Sequence, residues 1–269
     1  MGTINVNGTD YAYIDEGDGP LVLFGHGLLA SKEMFRAQID TLRSRYRCTS
    51  IDWPGHGESG FRADGWDFYD LGEDAVEIVR KLGAERAVFA GLSQGGMVFM
   101  RMALRHPELV QALVLLDTSA GPEDPENVGN YRQMAELLRT GDQAARERTV
   151  DVSQTILYGQ TWREEHPEGV QHERALMLAH DPEGIYLACQ AVFDRDDVLD
   201  QVGAISAPTL IIVGEEDTAT PPERAHELNE AIAGSELVVI PRAGHHSPIE
   251  NPGPVTDAIE RFLARVAPA

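Results

Sequence analysis

Three polar residues, far apart in the chain, carry the chemistry open to this sequence: Ser93, Asp217 and His245. Ser93 sits in Gly91-Leu92-Ser93-Gln94-Gly95, a G-x-S-x-G pattern that follows the apolar, β-prone run Arg86-Ala87-Val88-Phe89-Ala90 and precedes a helix-like segment over 96–105. A strand turning this sharply into a helix strains the residue at the turn. Glycines on either side let strand and helix pass closely, so the Ser93 hydroxyl is held out at the carboxyl end of a sheet. A serine hydroxyl is a poor nucleophile at neutral pH and needs a base within hydrogen-bond reach. His245 can take that proton and return it to a leaving group, while the Asp217 carboxylate fixes the ring tautomer and steadies the imidazolium. The pattern points to nucleophilic attack on a carbonyl carbon.

Attack on a carbonyl puts charge on its oxygen, which two preorganised N–H donors must meet. One donor is the backbone of the residue after the nucleophile, Gln94; the other is the backbone of Leu28, in Gly25-His26-Gly27-Leu28-Leu29-Ala30. That string also satisfies G-x-G-x-x-A, but the next strand ends in Asp52, too far along for a dinucleotide site, and runs into Trp53-Pro54-Gly55-His56-Gly57. Asp52 and His56 read as tight-turn scaffolding. Several residues compete for the other roles: Asp117, Glu215 and Glu216 with Asp217 for the acid, and His246 with His245 for the base. The nine histidines are scattered without zinc spacing, so neither metal nor cofactor is expected.

The elements that must position these groups alternate. A hairpin about Asn7-Gly8 opens the chain, and residues 15–20 read as a turn. The fully apolar run Leu21-Val22-Leu23-Phe24 marks a buried central strand. A strand over 48–51, an amphipathic helix over 70–82, the Ser93 strand and helix, and a strand over 110–116 follow. From Gly121 the character changes. Residues 120–205 carry 17 acidic side chains against 7 arginines and show helical periodicity at Tyr131-Met134-Leu137-Leu138, over 170–178 and over 185–193, with no β-like run. Strands over 208–214 and 236–240, and helices over 223–233 and 255–266, finish the chain. The fold class expected is α/β, a mostly parallel central sheet flanked by helices. A core domain (1–119 and 206–269) would be interrupted by a helical cap (120–205) inserted between strands.

Bulk properties narrow the partners. The chain has 269 residues, with 42% hydrophobic and 25% charged, ordinary for a globular protein. Apolar runs fall well short of membrane-spanning length, and the N-terminus lacks the basic and apolar regions of a signal peptide. Gly2 would suit myristoylation, but Val6 stands where that signal needs Ser or Thr; Asn7-Gly8-Thr9 matches a glycosylation sequon but reads as a turn. Two cysteines, Cys48 and Cys189, make no disulfide framework and suit a cytoplasmic location. The net charge of −22 repels nucleic acid and anionic membranes, leaving a small molecule as the expected partner. Only Lys32 and Lys81 are lysines, so the remaining basic residues are arginines. Nothing in the sequence separates a monomer from a homodimer.

The chain resembles α/β-hydrolase fold enzymes over essentially its full length. The resemblance rests on His26-Gly27, the Asp52-to-Ser59 loop, Gly91-to-Gly96, Gly214-Glu215-Glu216-Asp217, and Gly244-His245 through Glu250-Asn251-Pro252, all in order. It implies the order nucleophile, acid, histidine, with Glu250 and Pro252 spaced correctly when counted from His245. Ser93 sets the chain apart from haloalkane dehalogenases and epoxide hydrolases, which use Asp there. It is similar to 3-oxoadipate enol-lactonases and their esterase relatives, a likeness that extends into Met177-to-Tyr186. Those lactonases carry an Arg-Trp pair shortly before the His-Pro segment, where this chain has Ile156-Leu157 ahead of His166-Pro167. That departure favours a neutral acyl group over a carboxylated lactone.

The function expected is therefore hydrolysis of small carboxylic esters or lactones through an acyl-enzyme, with Tyr158, Trp162 and Phe193 as candidate pocket residues. Alternatives on the same triad are enol-lactonase action on an anion, carbon–carbon bond hydrolysis and perhydrolysis. Leu28-Leu29-Ala30 lacks the Ser/Gly/Pro-rich stretch typical of the carbon–carbon hydrolases and the proline often found in the perhydrolases. A slow-turnover signal receptor of hydrolase fold is the alternative from a different class.

Overall fold

The computed structural model describes residues 1–268. Strands β1 (Gly2–Val6) and β2 (Thr9–Glu16) form a hairpin in which Val6 pairs with Thr9. Asn7 and Gly8 at its tip both have positive φ, 49° and 85°, as a two-residue type I′ turn requires. Strands and helices then alternate: β3 (Leu21–Gly25), α1 (Arg36–Leu42), β4 (Arg47–Ile51), α2 (Phe68–Lys81), β5 (Ala87–Leu92), α3 (Gln94–Arg105) and β6 (Val110–Leu116). Five helices intervene before the next strand: α4 (Pro125–Thr140), α5 (Gln143–Leu157), α6 (Gln160–Glu165), α7 (Pro167–Ala179) and α8 (Pro182–Phe193). The chain closes through β7 (Thr209–Gly214), α9 (Pro222–Ala231), β8 (Glu236–Ile240), α10 (Ser247–Glu250) and α11 (Pro252–Val266).

The eight strands form one sheet in the order β1-β2-β4-β3-β5-β6-β7-β8, antiparallel at β1–β2 and β2–β4 and parallel elsewhere. Alternate residues of each central strand face opposite ways, so each strand feeds two cores. Leu23, Phe89, Leu113 and Ile211 pack with α2, α3 and α9 on one face. Val22, Val88, Val114 and Leu210 pack with α1 and α11 on the other. This two-sided burial explains why the strands read as unbroken apolar runs. A third cluster joins Leu29 to Ala135, Leu138, Val150 and Ile185 of the inserted helices.

Some boundaries differ from the sequence reading. Asp15 and Glu16 complete β2, so the turn is confined to residues 17–20. Helix α2 starts two residues early because Asp67 caps it, accepting from Tyr69 and Asp70 N–H, while the Asp70 side chain accepts from Asp67 N–H. Helix α3 begins at Gln94, directly after Ser93. Helices α5 and α6 carry no apolar stripe by which the sequence would announce them. Among the described residues no helix is long and apolar enough to cross a membrane.

Candidate active site

Ser93 stands between β5 and α3 with φ 51° and ψ −114°, a left-handed backbone that only surrounding structure can hold. Its N–H donates to Leu116 O (2.9 Å) and its carbonyl accepts from Thr118 Oγ1 (2.8 Å), which locks the turn against the end of β6. The glycines of the motif are required by contact. A Cβ on Gly91 would lie 2.4 Å from the backbone of Gly95, and one on Gly95 would lie 2.1 Å from Gly25 O. Strand and helix therefore cross at backbone distance, and the serine between them is pushed outward; Ser93 is 9% exposed.

The loop after β8 brings His245 to the same end of the sheet. Its Nδ1 lies 2.9 Å from Asp217 Oδ2 and 3.3 Å from Thr220 Oγ1. Asp217, beyond the end of β7, is itself oriented by Ala219 N–H (2.8 Å), Thr220 N–H (2.9 Å) and the Thr220 hydroxyl (2.9 Å). His245 Nε2 has no protein partner among the described residues, and neither does Ser93 Oγ; both residues line one cavity. Direct nucleophile–base hydrogen bonds are often long in ligand-free sites and tighten with substrate.

The competing residues are employed elsewhere. Asp117, buried at the end of β6 with φ 43°, accepts from Gly214 N–H (2.7 Å) and the Ser247 hydroxyl (2.5 Å). Burial, and then the charge of Asp217, push its carboxyl well above the usual range. His246 is buried against the Tyr158 ring, 4.6 Å between centroids, with neither ring nitrogen partnered among the described residues. Burial drives its pKa well below the ordinary value, so it stays neutral. Glu216 accepts from Thr161 N–H (2.9 Å) and from the Thr161 hydroxyl, and Glu215 accepts from Arg242 N–H (3.2 Å). Asp52 has the scaffolding role expected of it, buried against the Lys32 ammonium (2.8 Å) and accepting Glu58 N–H (3.0 Å).

The cavity, about 110 Å³, lies between the sheet's carboxyl edge and the inserted helices. Leu28, Ser93, Met97, Thr220 and His245 supply its floor; Met134, Leu138, Ile156, Leu157, Val192 and Phe193 supply its walls. Glu123, paired at 3.6 Å with buried Arg195, is the one carboxylate on the lining among the described residues, and no arginine or lysine lines it. Of the candidate pocket residues, Phe193 is on this lining, and Tyr158 and Trp162 are not. They stack on one another at 4.9 Å, both buried, with the Tyr158 hydroxyl donating to Glu173 (2.9 Å). Arg132 pairs with Asp194 (2.6 Å) and Arg163 donates to Tyr158 O (3.1 Å), so neither reaches the cavity lining. The α4 stripe Tyr131, Met134, Ala135, Leu138 was missed as a lining, because helical spacing looks the same whether a stripe faces a core or a cavity.

Leu28 lines the cavity, and Gln94 opens α3 beside Ser93. Among the described residues no protein group accepts from either backbone N–H. Gln94 N–H thus stands at a helix N-terminus, where negative charge is favoured, and Leu28 follows Gly27, on which a Cβ would lie 3.3 Å from Ser93 Cβ.

Glu250 was legible only as part of a motif, yet it accepts Gly244 N–H (2.8 Å), His246 N–H (2.9 Å) and Gly159 N–H (2.9 Å). One buried carboxylate therefore ties the His245 loop to the start of α6.

Comparison with known proteins agrees with this architecture. Residues 20–252 match the family described as alpha/beta hydrolase fold. The chain is 27% identical to 3-oxoadipate enol-lactonase 2 of Acinetobacter baylyi, over 95% of this chain and 93% of that protein. Among solved structures it is similar to a thermophilic esterase from Thermogutta terrifontis (33% identity, TM-score 0.89, covering 98% of this chain and 97% of that one). It is also similar to the enol-lactonase from Burkholderia xenovorans LB400 (27% identity, TM-score 0.90, covering 98% and 100%). With a matching family model over most of its length, and a strand-turn-helix at Ser93 and a mostly parallel sheet to go with it, the chain belongs to the α/β-hydrolase fold family.

Proposed function

We propose that this protein hydrolyses small neutral carboxylic esters or lactones through an acyl-enzyme on Ser93. His245 Nε2 takes the proton as Ser93 Oγ attacks the carbonyl carbon, and Asp217 steadies the imidazolium through Nδ1. The oxyanion forms facing Leu28 N–H and Gln94 N–H. Collapse of the tetrahedral intermediate breaks the ester C–O bond, and the leaving oxygen takes the proton from His245. Water then attacks the acyl-serine with the same base, releasing the acid and restoring the serine. Helices α4–α8 act as the cap in this reading and select the acyl group.

The observation that carries the substrate class is the cavity lining. It is apolar around Ser93 and His245, holds Ile156 and Leu157, and its charged wall residue is the carboxylate Glu123. A substrate carboxylate buried there would be unpaired and repelled, at a cost of several kcal/mol. The names of similar proteins, an esterase and enol-lactonases, support ester-bond chemistry. The test is kcat/KM for a p-nitrophenyl acyl series beside a carboxylated enol-lactone, with Ser93→Ala as control. Each buried methylene should raise kcat/KM by up to about fourfold until the cavity is full, and Ser93→Ala should lose about 10⁴-fold or more. Preference for the anion would refute the substrate class; Ser93→Ala activity within tenfold of wild type would refute the mechanism.

A further inference from the structure

Three buried histidines surround the backbone that presents the Leu28 N–H, and each grips a different group of it. His26 Nδ1 lies 2.7 Å from Gly27 O, the carbonyl of the very peptide unit whose nitrogen belongs to Leu28. His56 Nε2 accepts Leu29 N–H (3.2 Å), and His180 Nε2 lies 3.1 Å from Leu29 O. The remaining ring nitrogens are also engaged. Trp53 N–H donates to His26 Nε2 (3.0 Å), Gly57 N–H donates to His180 Nδ1 (3.1 Å), and His56 Nδ1 lies 3.2 Å from Pro54 O. A main-chain N–H can only donate, so each ring is bare on the nitrogen facing one and protonated on the other. All three histidines are satisfied only when neutral. Burial pushes each pKa down, His26 to about 4.

The rings also touch in series, His26 to His56 at 4.9 Å and His56 to His180 at 5.3 Å, edge to face. Leu29 has φ 63°, a conformation a leucine adopts only where neighbours dictate it, and both of its backbone groups end on this array. His26 and His56 belong to the sheet side. His180 belongs to the inserted helices, between α7 and α8, and binds Gly57 and Leu29 at once.

We infer that His180 is a positioning residue for the oxyanion hole: seating the cap completes the backbone geometry that aims Leu28 N–H at the reacting carbonyl. This inference rests on the proposed mechanism, in which Leu28 is an oxyanion donor. Without the His180 bond the Leu29 carbonyl is left unpartnered and the strained turn can relax. Loss of aim at one oxyanion donor acts on the transition state and leaves ground-state binding nearly untouched.

The test uses the full chain with His180→Ala, His180→Gln and His180→Asn, and Ser93→Ala beside them. Turnover is measured on p-nitrophenyl butyrate. Inhibition is measured with 1,1,1-trifluoroheptan-2-one, which forms an oxyanion on a serine, and with heptan-2-one, which does not. His180→Ala should lower kcat about 10- to 100-fold with KM little changed, and raise the inhibition constant of the fluoroketone alone in similar proportion. A glutamine amide reaches where Nε2 stood, so His180→Gln should recover most of the rate. An asparagine reaches only the Nδ1 position and should not. That pair carries the test if His180→Ala fails to fold. Wild-type kcat in His180→Ala, equal weakening of both ketones, or better rescue by asparagine than by glutamine would overturn the inference. If Ser93→Ala keeps its turnover, the mechanism itself fails and the inference falls with it.

Discussion

Glu250→Gln probes a junction on which both the histidine loop and the inserted helices depend. The carboxylate is 7% exposed, with Oε2 accepting from Gly159 and Gly244 and Oε1 accepting from His246. Glutamine keeps one oxygen. If that oxygen stays on Gly159 and Gly244, the new NH₂ faces the His246 N–H, donor against donor. The change removes one charge-assisted hydrogen bond, about 1.5–3 kcal/mol, and leaves a buried donor unpaired, about 1–3 kcal/mol. Relief of the buried charge works the other way, since burial already pushes the Glu250 carboxyl above its usual range. A net loss of about 2 kcal/mol corresponds to a fall in Tm of roughly 4–8 °C for a chain of this size. Because Gly244 and His246 flank His245, kcat on p-nitrophenyl butyrate should also fall, by about tenfold, with KM little changed. Circular-dichroism melts and initial rates on the same preparations decide the matter. A variant that melts with the wild type and turns over at its rate would refute the idea that this carboxylate holds the loop.

His245→Ala should lose activity as Ser93→Ala does, whereas His246→Ala should keep most of its turnover but lose packing against Tyr158; the reverse result in a p-nitrophenyl ester assay would move the base by one residue. Asp217→Asn should cripple kcat by favouring the wrong histidine tautomer. Asp117→Asn should be mild, because burial and the Asp217 charge already favour the neutral Asp117, which asparagine imitates; a severe Asp117→Asn beside a mild Asp217→Asn would exchange their roles. His26 should make the fold acid-sensitive. Burial pushes its pKa down to about 4 from an ordinary 6.5, against the pull of Asp52 and of the Gly27 hydrogen bond, with His180 and Lys32 adding to the fall. The native state therefore holds the neutral ring, and stability present above pH 6.5 is lost as pH falls towards 4, on the order of 3 kcal/mol for this residue. Urea midpoints at pH 7.5 and 5 should differ less in His26→Asn than in wild type, and an unchanged difference would remove His26 as the cause.

The strands and the residues at their carboxyl ends were legible because both obey local rules. A doubly covered strand needs a continuous apolar run, and a nucleophile turn needs its glycines. The inserted helices were less so. Helix α5 buries Thr149, Val150, Ser153 and Gln154, of which only Val150 is apolar, so no hydrophobic period announces it. Tyr158 and Trp162 looked like pocket residues by type alone. Tyr158 packs on His246, 88 positions on in the sequence, so only the fold reveals that the pair forms a buried stack. The histidine array was hidden for the same reason: His26, His56 and His180 come from three separate segments, and each looks unremarkable in its own.

Ser93, Leu29 and Asp117 share a left-handed backbone although none is glycine. Each such residue costs about 1–3 kcal/mol. Under the proposed mechanism heat resistance and turnover are therefore opposed at Ser93, the attacking group, and at Leu29, next to an oxyanion donor. A library sorted only for survival at high temperature would enrich Ser93→Gly, which relaxes the turn and removes the proposed nucleophile in one step. Any programme to toughen this scaffold gains the same relief without that loss at Asn7 and Arg242, exposed turn residues with φ of 49° and 58°, and should direct its changes there.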